Sequence, residues 1–143
     1  MKRKFLSILA IVIITMLTAV SCNIVSGKEY NSTSADCFNF TMRADGTYAV
    51  SLKEGVEVPA KIYLPTTYNG VEVTAVSDGG FKSNKTITAV TIPVGYELIG
   101  ENAFSYCTSL KTVNLANLGT GTEKNLTVGF EAFRSCTSLH TLD

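Results

Sequence analysis

The sequence has little of what several large classes of protein require. It contains a single histidine, His140, and its 12 Lys and Arg residues are balanced by 12 Asp and Glu residues without any basic run. A zinc site needs three or four clustered ligands, which one histidine and cysteines held in packed positions do not supply. A nucleic-acid-binding protein normally has a basic face, and none is visible here. The sequence therefore predicts no metal site, no cofactor and no nucleic-acid partner.

Catalytic motifs are also missing. The segment Gly119-Thr120-Gly121 has neither the strand–turn–helix setting nor the lysine of a phosphate-binding loop. Serines and acidic residues are scattered, and no nucleophile has a recognisable base in the sequence. We therefore expect a protein that is not an enzyme; the alternative is a catalytic group assembled only by the fold.

The N-terminal apolar run is shorter than the ~20 residues that a membrane-spanning helix needs. Positions 2–4 are basic, positions 5–20 are almost wholly apolar, and Ala19 and Ser21 are small. This pattern is typical of a secretory signal peptide, here residues 1–21, and a membrane anchor is the weaker alternative. Removal of the signal peptide leaves nine Lys and Arg against twelve Asp and Glu, a net charge of −3. We expect an exported, mildly acidic protein.

The residue after this signal is a cysteine. The sequence Ala19-Val20-Ser21-Cys22 resembles the lipobox of bacterial lipoproteins, although Ala19 stands where leucine is usual. The resemblance implies that the sulfur of Cys22 carries a lipid and anchors the protein to the membrane of the cell envelope. Ordinary secretory cleavage at the same bond is the alternative. The polar residues up to position 36 predict a flexible tether over residues 22–36.

Folding is expected to begin at Cys37. Apolar and polar residues alternate in 38–42 and 48–52 on either side of Asp45-Gly46, which indicates a β-hairpin. A second strand pair is expected to follow: the KIYLP segment, residues 61–65, then a turn at Asn69-Gly70 and a strand from Val71 to Val76. We interpret residues 37–75 as an N-terminal β cap.

Residues 76–143 contain about three copies of one repeat. The octet AFSYCTSL, residues 103–110, returns as AFRSCTSL, residues 132–139, and a more divergent copy starts at Val76. The intervals of 23 and 29 residues fall within the ~20–29 residues of leucine-rich repeats. The longer interval is accommodated by a polar insertion in residues 117–125. The repeated core positions are Phe81, Phe104 and Phe133, then Cys107 and Cys136, then Leu110 and Leu139.

Stacking explains why these positions recur. A repeat this short cannot bury its apolar side alone, so successive copies share one core. Residues 113–115 should form a strand parallel to residues 90–92, at ~4.8 Å. Phe104, Cys107 and Leu110 are spaced by three, which predicts a helical turn. The expected fold is a β-rich α/β solenoid with parallel strands, helical turns and an N-terminal β-hairpin cap.

The octets resemble the BspA-type leucine-rich repeats of bacterial cell-surface proteins. The shared pattern is an apolar residue and Gly, then Ala-Phe, Cys and Leu at fixed positions, as in Ile99-Gly100 through Leu110. The divergent copy has Gly80 for alanine and Asn84 for cysteine. The resemblance, which covers about residues 60–143, implies a surface protein that takes part in adhesion or in protein or host-matrix binding.

The cysteines leave two alternatives open. Cys107 and Cys136 occupy equivalent positions in neighbouring copies, where a disulfide is possible in an exported protein. Two buried thiols are favoured, because the slots face the packed interior. Cys37 has no evident partner in the sequence.

The strand side of such a solenoid presents outward residues that do not disturb the core. Alternation predicts a candidate binding face of six such residues: Thr91, Lys111, Thr112, Asn114, His140 and Thr141. We expect this face to bind another protein or a surface glycan without catalysis. The alternatives are a structural module of an envelope complex, or a fragment of a longer repeat protein, because Asp143 falls within the strand of the third copy.

Overall fold

The computed structural model describes residues 24–25, 32–116 and 125–143. The predicted signal peptide, Cys22, most of the tether and most of the insertion after Ala116 lie outside these residues. The described elements are twelve strands and one 3₁₀ helix, Ala35–Cys37: β1 Ile24–Val25, β2 Ser32–Thr33, β3 Phe38–Met42, β4 Tyr48–Leu52, β5 Lys61–Tyr63, β6 Thr67–Tyr68, β7 Val71–Val76, β8 Ala89–Ile92, β9 Leu98–Ile99, β10 Thr112–Leu115, β11 Thr127–Val128 and β12 Thr141–Leu142.

Two sheets of stacked parallel strands form a β-solenoid of about three turns. The larger sheet has the order β11-β9-β7-β4-β3, with β6 paired to β7, and the four-stranded sheet has the order β12-β10-β8-β5. The predicted register is confirmed, because Val113 is opposite Val90 and Asn114 is opposite Thr91 in a parallel pair. Each coil contributes one strand to each sheet, so the apolar residues of successive coils meet between the sheets.

The predicted hairpin is present as the antiparallel pair β3–β4, with Phe40 opposite Val50. Gly46 has φ of 83°, which the turn requires. A turn is also found at Asn69-Gly70, but the antiparallel partner of β7 is the short strand β6 rather than the KIYLP segment. That segment contains β5, which pairs in parallel with β8. Parallel stacking thus starts within the N-terminal β region, since β4 also pairs in parallel with β7.

The prediction of helical turns is wrong. The described residues contain no α-helix, and the segments between the two sheets are runs of tight turns closed by hydrogen bonds to the third preceding residue, such as Cys107 N–H to the Phe104 carbonyl at 3.1 Å. Asn102 and Tyr106 have φ of 54° and 61°, values that a right-handed helix does not allow. The spacing by three that suggested a helix reflects these successive turns.

The turns of successive coils are hydrogen-bonded to one another in one direction. The N–H groups of Gly79, Phe81 and Ser83 donate to the carbonyls of the middle turn, at Glu101, Ala103 and Ser105, over 2.7–2.8 Å. The middle turn donates in the same sense to Phe130, Ala132 and Arg134. Close approach of the turns requires glycine at one position. A Cβ atom on Gly100 would lie 2.6 Å from the Asp78 nitrogen, and one on Gly129 would lie 2.7 Å from the Glu101 nitrogen.

The core contains the expected columns. The Phe81 and Phe104 rings stack at 5.0 Å, and the Phe104 and Phe133 rings at 5.4 Å with 3° between their planes. Leu110 and Ile87 are fully buried in the neighbouring column. In the last described coil the packing is incomplete, since Val128 is 51% exposed and Leu142 is 55% exposed. None of the described residues lies in a helix whose length and hydrophobicity would suffice to span a bilayer.

Candidate binding face

The outward side of the four-stranded sheet holds the predicted face. Thr112 is directly opposite Thr141 on one side and Ala89 on the other, and Asn114 is opposite Thr91. These residues alternate along their strands with the buried Val90 and Val113, so their side chains project away from the core. The four strand residues of the predicted set therefore lie in two adjacent ladders on one surface.

Lys111 and His140 lie beside these ladders, at the residue before each strand. The His140 backbone N–H donates to the Lys111 carbonyl at 3.1 Å, as the Lys111 N–H does to Thr88 at 2.8 Å, so the two residues occupy one column. Both side chains are exposed. The His140 Nδ1 atom is 2.9 Å from the Ser138 carbonyl, a contact that orients the ring. Lys111 and His140 thus form a column at the margin of the surface that holds the other four predicted residues.

This surface is polar and weakly basic. The strands of the four-stranded sheet contain Lys61 and no Asp or Glu, and Lys111 adds a second cation at its margin. The carboxylate nearest to these strands in the sequence belongs to Asp143, the residue directly after β12. The backbone N–H of Asp143 donates to the Val113 carbonyl at 3.1 Å. The described residues bring together no group of three or more His, Cys, Asp or Glu side chains that could hold a metal ion.

Comparison with known proteins identifies the repeat. Residues 74–143 match the family described as BspA type Leucine rich repeat region (6 copies). These residues belong to the BspA-type leucine-rich repeat family. Proteins with such repeats are generally non-catalytic scaffolds for protein interaction, and they are typically found at the bacterial cell surface.

Solved structures of bacterial leucine-rich repeat proteins resemble the whole solenoid. The T. pallidum leucine rich repeat protein matches 78% of this chain and 49% of its own length, with 23% identity and a TM-score of 0.65, which shows the fold alone. A leucine rich cell surface protein from Faecalibacterium prausnitzii matches 82% and 30% of the two chains, with 27% identity and a TM-score of 0.58.

A leucine-rich repeat protein from Bacteroides capillosus matches 59% of this chain and 64% of its own length, with 28% identity and a TM-score of 0.51. This chain thus spans less than two thirds of each of these proteins. A search of the curated proteins gives no significant match.

The cysteines of the BspA-type repeats connect the turn segments of successive coils. The Cys107 thiol donates to the Phe81 carbonyl at 3.0 Å, and the Cys136 thiol donates to the Phe104 carbonyl at 3.0 Å. Each cysteine therefore connects its own coil to the phenylalanine of the preceding one. In the divergent copy, Asn84 instead accepts hydrogen bonds from the N–H groups of Thr86 and Ile87 at 2.9 and 2.8 Å.

Both repeat cysteines are free thiols in the structure, as the favoured alternative predicted, but only Cys107 is buried and Cys136 is half-buried. Burial raises the pKa of the Cys107 thiol to about 11, and it also raises the pKa of Cys136. The thiols are consequently neutral and poorly nucleophilic near neutral pH. Cys37 differs from the expectation, because it forms a disulfide whose partner lies outside the described residues.

Sequence reasoning missed the part of the face that β5 supplies. Lys61 and Tyr63 are opposite Ala89 and Thr91, so they extend both ladders by one coil. The signal was present in the alternation of KIYLP, whose Ile62 is buried opposite Val90. It was hidden because this coil lacks the Phe–Cys–Leu octet by which the other coils are aligned.

Proposed function

We propose that this protein is an exported, lipid-anchored protein of the bacterial cell surface that binds another protein without catalysis. The observation that supports the proposal is the outward side of the four-stranded sheet, where Thr91, Thr112, Asn114 and Thr141 lie in two adjacent ladders. A rigid sheet held by a shared core positions such side chains at low entropic cost on binding. The predicted signal peptide would deliver this face to the outside of the cell.

The ligand is proposed to be a host or matrix protein, as the family resemblance implies. Immobilised fibronectin, laminin and collagen would serve as probes in biolayer interferometry. For a probe that binds, the triple variant Lys111→Ala/Asn114→Ala/His140→Ala should reduce affinity at least tenfold, because hot-spot side chains dominate binding. The control is Lys85→Ala/Asn125→Ala, which changes exposed residues elsewhere and should bind normally.

Both variants should keep the urea midpoint of the parent protein. Equal binding by the triple variant and the parent would show that the face is wrongly assigned. Failure of all three probes would remove the support for a matrix-protein ligand.

The lipid anchor at Cys22 is a separate part of the proposal. The sulfur of Cys22 cannot carry a thioether-linked lipid and also share a disulfide with Cys37. The lipidated form therefore leaves Cys37 without Cys22 as a partner, whereas Cys37 is disulfide-bonded in the structure. Mass spectrometry of the mature N-terminus separates the two forms: an acylated Cys22 supports anchoring, whereas a peptide disulfide-linked to Cys37 means a secreted protein.

An assembly role is the second candidate. Phe130 is 70% exposed and lies near the exposed Val128 in the last described coil, an apolar surface that suits docking to another subunit. Sedimentation of the mature chain tests this role. A monomer at high concentration would count against self-assembly through this surface.

A further inference from the structure

A groove of about 660 Å³ lies apart from the candidate binding face, between the β3–β4 hairpin and the first turn segment, residues 77–84. Asn39 and Thr41 of β3 line one side, and their side chains are exposed. Ser51 of β4 is directly opposite Asn39, so the hairpin presents a row of neutral polar groups. The volume is within the range of small-molecule sites.

The backbone of the first turn leaves hydrogen-bond acceptors in this groove. In the middle turn, the carbonyls of Glu101, Ala103 and Ser105 each accept an N–H from the preceding coil. The equivalent carbonyls of the first turn are those of Asp78, Gly80 and Lys82. Gly80 accepts from the Leu52 N–H at 2.9 Å, but Asp78 and Lys82 accept no backbone hydrogen bond from the described part of the chain.

Two carbonyl oxygens of the first turn, those of Asp78 and Lys82, are therefore open to donors from outside the protein. Ser77 also lines the groove, but its Oγ atom is buried, like that of Ser105 in the middle turn, so this hydroxyl does not face a ligand.

The charges of the groove select the kind of ligand. Lys53 and Lys82 are balanced by Glu54 and Asp78, so the lining has no net charge. Asp78 is already engaged, because its Oδ1 atom accepts the Glu101 N–H at 2.8 Å. The apolar side chains of the lining are those of Leu52, which is half-buried, and Phe81, which is only 1% exposed. A polyanion, a cationic peptide and an apolar ligand are all poorly matched to such a surface.

We propose that this groove binds a neutral saccharide. Sugar hydroxyls donate to the carbonyls of Asp78 and Lys82 in the first turn, and they accept from the side chains of Asn39, Thr41 and Lys53. The ligand is uncharged, as the balanced lining requires. This site is independent of the protein-binding face, so the same molecule carries two surfaces for two kinds of partner.

The test uses the mature protein and a panel of neutral trisaccharides, maltotriose, mannotriose and chitotriose, with heparin as the anionic probe. Binding is followed through amide chemical shifts of residues 77–84 in ¹⁵N NMR spectra. At least one trisaccharide should shift these amides, and the exposed double variant Asn39→Ala/Thr41→Ala should weaken binding at least tenfold. The triple variant Lys111→Ala/Asn114→Ala/His140→Ala should bind the sugar as the parent does, which separates this site from the proposed protein-binding face.

Three outcomes would overturn the proposal: no shift with any trisaccharide, a stronger response to heparin than to the sugars, or unchanged sugar binding by the double variant. Because Asn39 and Thr41 are exposed, the double variant should keep the urea midpoint of the parent. A double variant that loses stability would be replaced by Asn39→Gln, which keeps the amide but lengthens the side chain into the groove and should also weaken sugar binding.

Discussion

Replacement of Phe104 by alanine is the most direct test of the stacked core. The ring is 1% exposed and lies between Phe81 at 5.0 Å and Phe133 at 5.4 Å. Truncation of a buried phenylalanine costs about 3–5 kcal/mol through lost transfer energy and the cavity left behind. Each aromatic pair contributes about 0.5–1.5 kcal/mol beyond its buried area, and Phe104 belongs to two such pairs. We therefore expect a loss near the upper end, about 4–5 kcal/mol.

Such a loss is a large part of the roughly 5–15 kcal/mol by which a domain is stable. With a urea m-value of about 2 kcal/mol/M, the unfolding midpoint should fall by roughly 2 M. Circular dichroism during urea titration measures the shift. Phe130→Ala is the matched control, because that ring is 70% exposed and its loss should change stability by no more than about 0.5 kcal/mol. A midpoint for Phe104→Ala no lower than that of Phe130→Ala would refute the column.

Three further predictions concern the turns and the thiols. Gly100→Ala should destabilise the protein by about 1–3 kcal/mol in urea titration, because the added Cβ would lie 2.6 Å from the Asp78 nitrogen. Gly80→Ala is the control and should destabilise it less, since the nearest atom to its Cβ would be 3.0 Å away. Equal losses of stability in the two variants would contradict this explanation. Cys107 should react with a thiol reagent at pH 8 only after unfolding, because it is 1% exposed and burial raises its pKa, and rapid reaction of Cys107 in the folded protein would disprove its burial. The half-buried Cys136, whose pKa is also raised by burial, should react faster than Cys107. Burial raises the Cys107 pKa from 9.0 to about 11, so its contribution to the free energy of unfolding is present below pH 9 and is lost as the pH rises toward 11. The fall in the free energy of unfolding between pH 9 and 11 should be shallower in Cys107→Ser.

The repeat positions made the strand register predictable. Phenylalanine, cysteine and leucine return at fixed places, and only one alignment of the coils superimposes all three. That alignment placed Val113 opposite Val90, as found. It also placed the outward residues of β10 and β12 on one surface, because side chains alternate strictly along a strand.

The turn conformation was not predictable in the same way. Positive φ values occur at Asn102, Tyr106, Glu131 and Ser135, none of which is glycine. Tyrosine and glutamate give no sequence signal for this region of backbone space. The backbone accepts these values because hydrogen bonds to neighbouring turns hold it, and the sequence does not show these contacts.

The groove was equally hidden from the sequence. Its lining comes from residues 39–54 and 77–84, and no motif connects these segments. The β5 extension of the face was missed for a related reason, since its coil has no octet. Repetition therefore reveals what successive coils share, whereas features at the first coil depend on where the repetition starts.

The one-way hydrogen bonds between the turns give the solenoid an electrical direction. Peptide dipoles that point the same way add along the stack, as they do along a helix. The first turn segment lies at the carbonyl, partially negative, side of this column, and the last described turn lies at the amide, partially positive, side. A polar molecule that approaches the hairpin side is therefore oriented before it makes contact, with its hydrogen atoms leading.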